Sequence, residues 1–119
     1  MQNNTKIPIA VQNDIDKAVE LLLDKFHENI IKIILFGSYS NSSYQTDSDI
    51  DIAVVLNELP ALKGRRNYYR QIADIKDKVG TEREIDLIFC TEEQINSGEY
   101  VYRHINAGGI LLYELYEQL

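Results

Sequence analysis

Cysteine is nearly absent from this sequence. The single cysteine, Cys90, has no partner for an intrachain disulfide and cannot build a cysteine-based zinc site. A chain that needs neither is suited to a reducing compartment, where disulfides rarely persist. No hydrophobic run approaches the roughly 18 residues of a membrane-spanning helix, and no apolar segment typical of secretory signals follows the polar start Met1–Lys6. We therefore expect a cytoplasmic protein.

Basic residues are also in short supply. The 119-residue chain carries 12 Lys and Arg against 19 Asp and Glu, a formal net charge of −7. This surplus of negative charge repels nucleic-acid phosphates and argues against direct binding of DNA or RNA. Hydrophobic residues make up 45% and charged residues 26% of the chain, which is typical of a globular domain. The length suits a single domain over residues 1–119, with little room for a second domain to hold a substrate.

The hydrophobic patterns predict a small α/β (α+β) domain. The predicted elements, in chain order, are a helix at 13–28, strands at 30–36 and 50–56, a helix at 61–79, a strand at 84–89, and short helices from 91 and near 99–106. Asn13 or Asp14 is expected to cap the first helix, and Thr91 with Gln94 forms a capping-box pair. The tail from Ile110 onwards fits either a strand or a helix. Consecutive strands joined by a polar loop favour a mixed β-sheet with helices packed on one face.

Two aspartates at the start of the second predicted strand carry the clearest chemical signal. Because side chains alternate along a strand, Asp49 and Asp51 share one face. The other face is apolar and consists of Ile50, Ile52, Val54 and Leu56. Adjacent carboxylates repel one another and add nothing to a core, whereas a divalent cation between them removes the conflict. Asp86 completes a triad if the third predicted strand neighbours the second. Oxygen-only clusters of this kind suit Mg²⁺ or Mn²⁺.

A glycine–serine pair ends the first predicted strand. Gly37 allows the backbone to approach a ligand closely. Ser38 and the amides after it can present N–H groups to phosphate oxygens if a short helix begins there. A phosphate-binding loop beside a three-carboxylate metal site is equipped for nucleotidyl transfer, in which two metal ions activate the attacking hydroxyl and stabilise the pyrophosphate leaving group.

The pair Gly37-Ser38, followed after ten residues by Asp49-x-Asp51, resembles the minimal nucleotidyltransferases (MNT proteins) of the DNA polymerase β superfamily. The resemblance implies a DNA polymerase β-like nucleotidyltransferase fold. It implies that Gly37 and Ser38 bind the triphosphate and that Asp49 and Asp51 bind metal. Asp86 would be the third metal-binding carboxylate and the base for the acceptor hydroxyl. The cofactors implied are two Mg²⁺ ions, or Mn²⁺, with ATP as the nucleotide donor.

The resemblance extends to the segment 105–113 and so spans most of the chain, with one departure. The family usually carries Ala-Arg-Gly where this sequence has Ser40, Asn41 and Ser42. A cation that would support the phosphates or the loop is therefore missing.

Two other features permit two interpretations each. The basic residues that open the second predicted helix are Lys63, Arg65, Arg66 and Arg70. They form either a solvated helix face or a contact with the triphosphate or an acidic partner. Tyr39, inside the loop, either packs in the core or lies beside the nucleotide.

Many MNT proteins are antitoxins paired with a HEPN-domain RNase toxin, and some AMPylate a tyrosine of that toxin. The resemblance thus implies Mg²⁺-dependent transfer of AMP from ATP to a hydroxyl of a partner HEPN toxin, with the protein acting as antitoxin. Two alternatives stay open. One is a catalytically weak or inactive MNT-fold module that neutralises its toxin by occlusion, and the other is a nucleotidyltransferase of small molecules such as antibiotics.

Overall fold

The computed structural model describes residues 7–59 and 65–115, apart from the side chains of Arg65, Asn67 and Tyr68. The elements are α1 (Ile9–Phe26), a 3₁₀ turn (His27–Asn29), β1 (Ile30–Phe36), a second 3₁₀ turn (Ser38–Ser40), β2 (Ile50–Leu56), α2 (Arg65–Val79), β3 (Ile85–Thr91), α3 (Glu92–Ile95), α4 (Tyr100–Gly108) and β4 (Ile110–Glu114). Strands β1 and β2 have the bounds that their β-branched runs predict. Among the described residues, none of the helices combines the length and hydrophobicity needed to cross a bilayer.

The described strands form one mixed sheet in the order β3-β2-β1-β4. Strand β1 pairs antiparallel with β2 and with β4, whereas β2 and β3 run parallel. A parallel pair needs a crossover connection, which helix α2 supplies. The predicted mixed sheet is confirmed, and so is the expectation that β3 lies beside β2.

Helices cover both faces of this sheet, so the prediction of helices on one face is wrong. On one face, α1 and α2 form a core with alternate strand residues; its fully buried members include Ile15, Leu22, Ile33, Leu35, Ile50, Ile52 and Ile75. On the other face, Ile95 of α3 and Ile105 of α4 pack with Ile34, Ala53 and Val55. The strands are apolar in both side-chain directions, the pattern of a sheet that is buried on both faces.

Helix α1 begins four residues before the predicted start. The N–H of Gln12 donates to the carbonyl of Pro8 at 2.9 Å, and this bond opens the helix. Asn13 and Asp14 consequently lie inside the helix and do not cap it. Because Val11 is fully buried, packing against the core extends the helix beyond the polar residues that looked like its start.

The other helix ends follow local chemistry more closely. Gly80, directly after α2, has a φ of +70°, the left-handed conformation common after a helix C-terminus. The predicted capping box is confirmed: the N–H of Gln94 donates to Thr91 Oγ1 at 3.2 Å, and the N–H of Thr91 donates to Gln94 Oε1 at 2.9 Å. The uncertain tail becomes the edge strand β4. Residues 61–64 of the second predicted helix, and residues 116–119, lie outside the described residues.

Candidate active site

Asp49, Asp51 and Asp86 come together at one end of the sheet. Asp51 is the second residue of β2 and Asp86 the second residue of β3, and the parallel register makes them direct neighbours. Asp49 immediately precedes β2, on the same face as Asp51 because side chains alternate. Asp49 is exposed, whereas the other two are half-buried. The structure thus gathers the predicted triad on the sheet face that α3 and α4 cover.

The carboxyl group of Asp51 is electrostatically strained in the absence of a cation. Its pKa is raised from 3.8 to about 6, first by burial, then by the charge of Asp86, by a hydrogen bond between these two carboxyls, and by the charge of Asp49. Asp51 therefore holds a proton more readily than an ordinary aspartate. A divalent cation can replace this proton and neutralise the same crowding.

The donor set suits a hard divalent cation. Carboxylate oxygens are the ligands that Mg²⁺ and Mn²⁺ prefer. In residues 7–59 and 65–115, no group of three or more His, Cys, Asp or Glu side chains already converges as a metal site. The hydrogen bond between Asp51 and Asp86 would be given up when a cation takes the place of the proton. The three carboxylates thus fit the ion by chemistry and position, and their side chains must turn to converge on it.

Gly37 lies directly against the carboxyl group of Asp51. Its φ of +78° and ψ of −157° fall in a region that is essentially restricted to glycine, and a Cβ atom added there would collide with Asp51 Oδ2. After it, residues Ser38–Ser40 form the predicted short helix, as a 3₁₀ turn. The hydroxyl of Ser40 donates to the carbonyl of Gly37 at 2.7 Å. The glycine–serine pair is therefore held beside the carboxylates.

Asn41 supports this loop from within, a role that the sequence patterns did not indicate. Its Oδ1 accepts hydrogen bonds from the N–H of Ser43 at 3.0 Å and from Ser43 Oγ at 2.6 Å. Asn side chains commonly bond to the backbone two residues on, so the polar run around Asn41 was the available signal. The asparagine that replaces the family's usual arginine thus helps to fold the loop although it carries no charge.

Ser42 adopts a left-handed conformation, with a φ of +66°, at the position where the resembled family carries glycine. We expect Ser42→Gly to raise the free energy of unfolding by about 0.5–1 kcal/mol, because glycine tolerates this conformation without the steric cost of a Cβ atom. Chemical denaturation of both proteins measures the change. Ser42→Ala, which keeps the Cβ atom, is the control and should give no gain; an equal gain from alanine would contradict the explanation.

Tyr39 is a core residue. It is 1% exposed and stacks on Tyr44 with ring centroids 4.8 Å apart. It packs in the cluster on the α1 and α2 face of the sheet, opposite the face that carries Asp51. The packing interpretation is confirmed.

The basic cluster is described only in part. Arg66 and Arg70 are exposed on α2, the helix that packs on the sheet face opposite Asp51. Lys63 lies outside the described residues, and the side chain of Arg65 is not described. The described members therefore have the position of a solvated helix face.

Known proteins resemble this chain in sequence and in fold. The profile of the family described as Polymerase beta, Nucleotidyltransferase matches residues 17–118. Spectinomycin 9-adenylyltransferase of Staphylococcus aureus (strain Mu50) is 33% identical over 99 residues, which is 82% of this chain and 35% of that enzyme. A Methanocaldococcus jannaschii protein named for protein adenylyltransferase activity, MJ1305, is 34% identical over 65 residues, 55% of this chain and 43% of that protein. A crystal structure of a toxin–antitoxin with AMP-PNP has a TM-score of 0.57 and 27% identity, covering 84% of this chain and 73% of that chain.

These matches cover different shares of this chain and of its relatives. The chain spans 35% and 43% of the lengths of the two curated relatives, so the likeness concerns a part of each. The family match, in contrast, runs over most of the chain and includes the glycine–serine loop and all three aspartates. The chain belongs to the polymerase β nucleotidyltransferase family and has its fold.

Proposed function

We propose that the protein transfers AMP from ATP to the hydroxyl group of a tyrosine in a partner HEPN toxin. It thereby acts as an antitoxin in the cytoplasm. The observation that carries the proposal is the placement of Asp49, Asp51 and Asp86 at one end of the sheet, beside the loop at Gly37. The family match supports nucleotidyl transfer. The name given to the relative MJ1305 supports AMP and a protein acceptor, and the toxin–antitoxin structure with AMP-PNP supports a toxin as the partner and an adenine nucleotide as the ligand.

In this reaction the three aspartates bind two Mg²⁺ ions, with Mn²⁺ as the alternative. When bound, the ions supply the charge that activates the acceptor hydroxyl and stabilises the pyrophosphate leaving group. Asp86, whose carboxyl faces Asp51, takes the proton of the hydroxyl. The hydroxyl oxygen bonds to the α-phosphorus as the bond to pyrophosphate breaks. Gly37 and Ser38 hold the triphosphate next to the carboxylates, because the missing side chain of the glycine lets the Asp51 carboxyl group lie directly against the loop.

Asp49, the exposed member of the triad, can be approached by a hydroxyl on a partner protein. Open cavities of 400, 440 and 500 Å³ elsewhere in the described residues are lined by other side chains. None of these three therefore holds a small acceptor beside Asp51. A partner that carries its hydroxyl to the carboxylates needs no such cavity.

Label transfer tests the proposal. The protein is incubated with Mg²⁺, ATP labelled at the α-phosphate, and the protein encoded by the adjacent gene. We expect label on the partner, none after EDTA is added, and none on a partner whose modified tyrosine is replaced by phenylalanine. ATP labelled at the γ-phosphate is the control, because only a kinase would transfer that label. Transfer of the γ-label, or no transfer from α-labelled ATP, would contradict the proposal.

Two alternative functions predict different experimental results. Neutralisation by occlusion, which the uncharged Asn41 at the arginine position favours, predicts that an Asp49→Asn, Asp51→Asn double variant still protects cells from the toxin. Adenylylation of a small molecule is favoured by the similarity to spectinomycin 9-adenylyltransferase. It predicts label on spectinomycin when the antibiotic replaces the partner in the assay.

A further inference from the structure

An apolar strip lies on the same sheet face as the carboxylates. Asp51 pairs with Phe36 of β1, and Ile34, two residues earlier in β1, pairs with Leu111 of β4. Residues two apart in a strand share a face, and so do direct cross-strand partners. Asp51, Phe36, Ile34 and Leu111 therefore point to one side of the sheet. Leu111 lies two strands away from Asp51 and is offset from it by two residues along the strand direction. Its Cα is therefore about 12 Å from the Cα of Asp51.

Leu111 is the accessible end of this strip. Its side chain is 50% exposed on β4, which lies at the edge of the described sheet. Phe36, between Leu111 and the carboxylates, is half-buried. A single exposed leucine is ordinary, but this one continues an apolar row that ends at Asp51. Ile34, in the middle of the row, is 7% exposed and packs against Ile105 of α4, so a molecule that approaches the carboxylates from the β4 edge would contact Leu111 and Phe36 rather than Ile34.

Leu115 provides an internal comparison. It is 49% exposed, nearly the same fraction as Leu111, and the N–H of Leu115 donates to the carbonyl of Ile31 at 2.8 Å. Leu115 follows Tyr113 by two residues and so shares its side of the sheet. Tyr113 packs against the core formed with α1 and α2, because a register shift between Ile33 and Ile34 separates it from Leu111. Leu115 therefore faces away from the carboxylates.

The charges around the site indicate which kind of charged side chain a docking molecule would carry. The segment from Gly37 to Asp51 contains no Lys or Arg, and Asp47 and Asp49 at its end are exposed. Asn41, in the middle of the segment, directs its oxygen to Ser43. A basic side chain on the incoming molecule would be attracted to this rim and would meet no competing cation from the segment.

We propose that the protein acceptor docks across Leu111 and Phe36, with an apolar side chain on Leu111 and a basic residue against Asp47, while its hydroxyl faces Asp51. The proposal rests on the proposed function, since it names the surface that delivers the hydroxyl. The apolar side chain and the hydroxyl lie about 12 Å apart, a span that a helix covers in about eight residues. The surface thus fits a folded partner whose hydroxyl, apolar and basic side chains lie on one face.

Direct binding tests the docking surface without relying on catalysis. The dissociation constant between the full chain and the protein encoded by the adjacent gene is measured by calorimetry without nucleotide. We expect Leu111→Asp to weaken binding by about tenfold or more, because an anchor residue becomes charged. Leu115→Asp, the matched control, should change the constant less than twofold. Leu111→Ser is a second variant that adds no charge, for the case that Leu111→Asp does not fold. Thermal unfolding of each variant is measured in parallel.

The possible results separate the two proposals. No binding by the unaltered chain, or equal weakening by Leu111→Asp and Leu115→Asp, overturns the docking surface. Selective loss with Leu111→Asp supports it even if no AMP is transferred, in which case only the proposed function fails. Where transfer does occur, Leu111→Asp should raise the KM for the acceptor about tenfold and leave kcat and the affinity for ATP unchanged. A variant that lowered kcat instead would also overturn the docking surface.

Discussion

Replacing Asp51 by asparagine is expected to slow AMP transfer by about a thousandfold, since a bound metal supplies several kcal/mol of transition-state stabilisation that needs its carboxylate ligands. Asp51 is the central member of the triad, paired with Asp86 and on the same face as Asp49. Label transfer from α-labelled ATP under single-turnover conditions measures the rate. Asp77→Asn is the matched control, because it removes an exposed carboxylate on α2, which packs on the opposite face of the sheet, and it should retain most of the activity.

The same substitution should stabilise the metal-free protein at high pH. Folding raises the pKa of Asp51 to about 6, so the stability that its proton contributes is complete at low pH and is lost as the pH rises through 6. Asparagine resembles the protonated carboxyl at every pH. The melting temperature of Asp51→Asn should therefore exceed that of the unaltered protein at pH 8, and the difference should shrink as the pH falls through 6 toward 4. A difference that does not vary with pH would contradict this origin.

Magnesium provides an independent check on that interpretation. At pH 8, Mg²⁺ should raise the melting temperature of the unaltered protein, because the ion relieves the repulsion among the carboxylates and binds the folded state. The gain should be much smaller for Asp51→Asn. Equal gains in both proteins would place the ion somewhere other than the three aspartates.

The central strands and the position of the triad could be read from the sequence because their signals are local. The β-branched runs of β1 and β2 set the bounds of both strands, and alternation alone puts Asp49 and Asp51 on one face. The place of Asp86 depended on a non-local fact, the parallel pairing of β2 with β3. The sequence predicts Asp86 as a member of the triad only if β3 lies beside β2, because no residue pattern specifies which strands are neighbours.

The errors have a common cause in tertiary packing. The apolar residues Ile34, Ala53 and Val55 on the second sheet face were the sign that helices cover it, but the stronger alternation on the first face concealed them. The tail from Ile110 stays open between strand and helix at the level of sequence, because a short apolar run shows no period that separates the two; its pairing with β1, which lies far away in the chain, makes it a strand. The sequence indicates only that Asn41 lacks the charge of the usual arginine, whereas its hydrogen bonds within the loop depend on the folded turn.

Gly37→Ala is expected to reduce AMP transfer by about a hundredfold or more and to lower the free energy of unfolding by about 2 kcal/mol. The new Cβ atom would occupy the space of Asp51 Oδ2, so either the loop or the carboxylate must move. Both movements misplace the triphosphate relative to the triad, and small misplacements of reacting groups are costly. Label transfer and chemical denaturation measure the two effects.

Gly98→Ala separates the collision from backbone strain. Gly98 also has a positive φ, +83°, but no atom lies within 4 Å of the position that its Cβ would take. Both substitutions therefore place alanine in a conformation that L-residues disfavour, and only Gly37→Ala displaces a member of the triad. We expect the Gly98 variant to lose stability and to keep its rate of AMP transfer when it is assayed below its melting temperature. If the two variants lost activity in proportion to stability alone, the close approach of Gly37 to Asp51 would have no part in catalysis; a loss of activity confined to Gly37→Ala would show that this contact sets the geometry of the site.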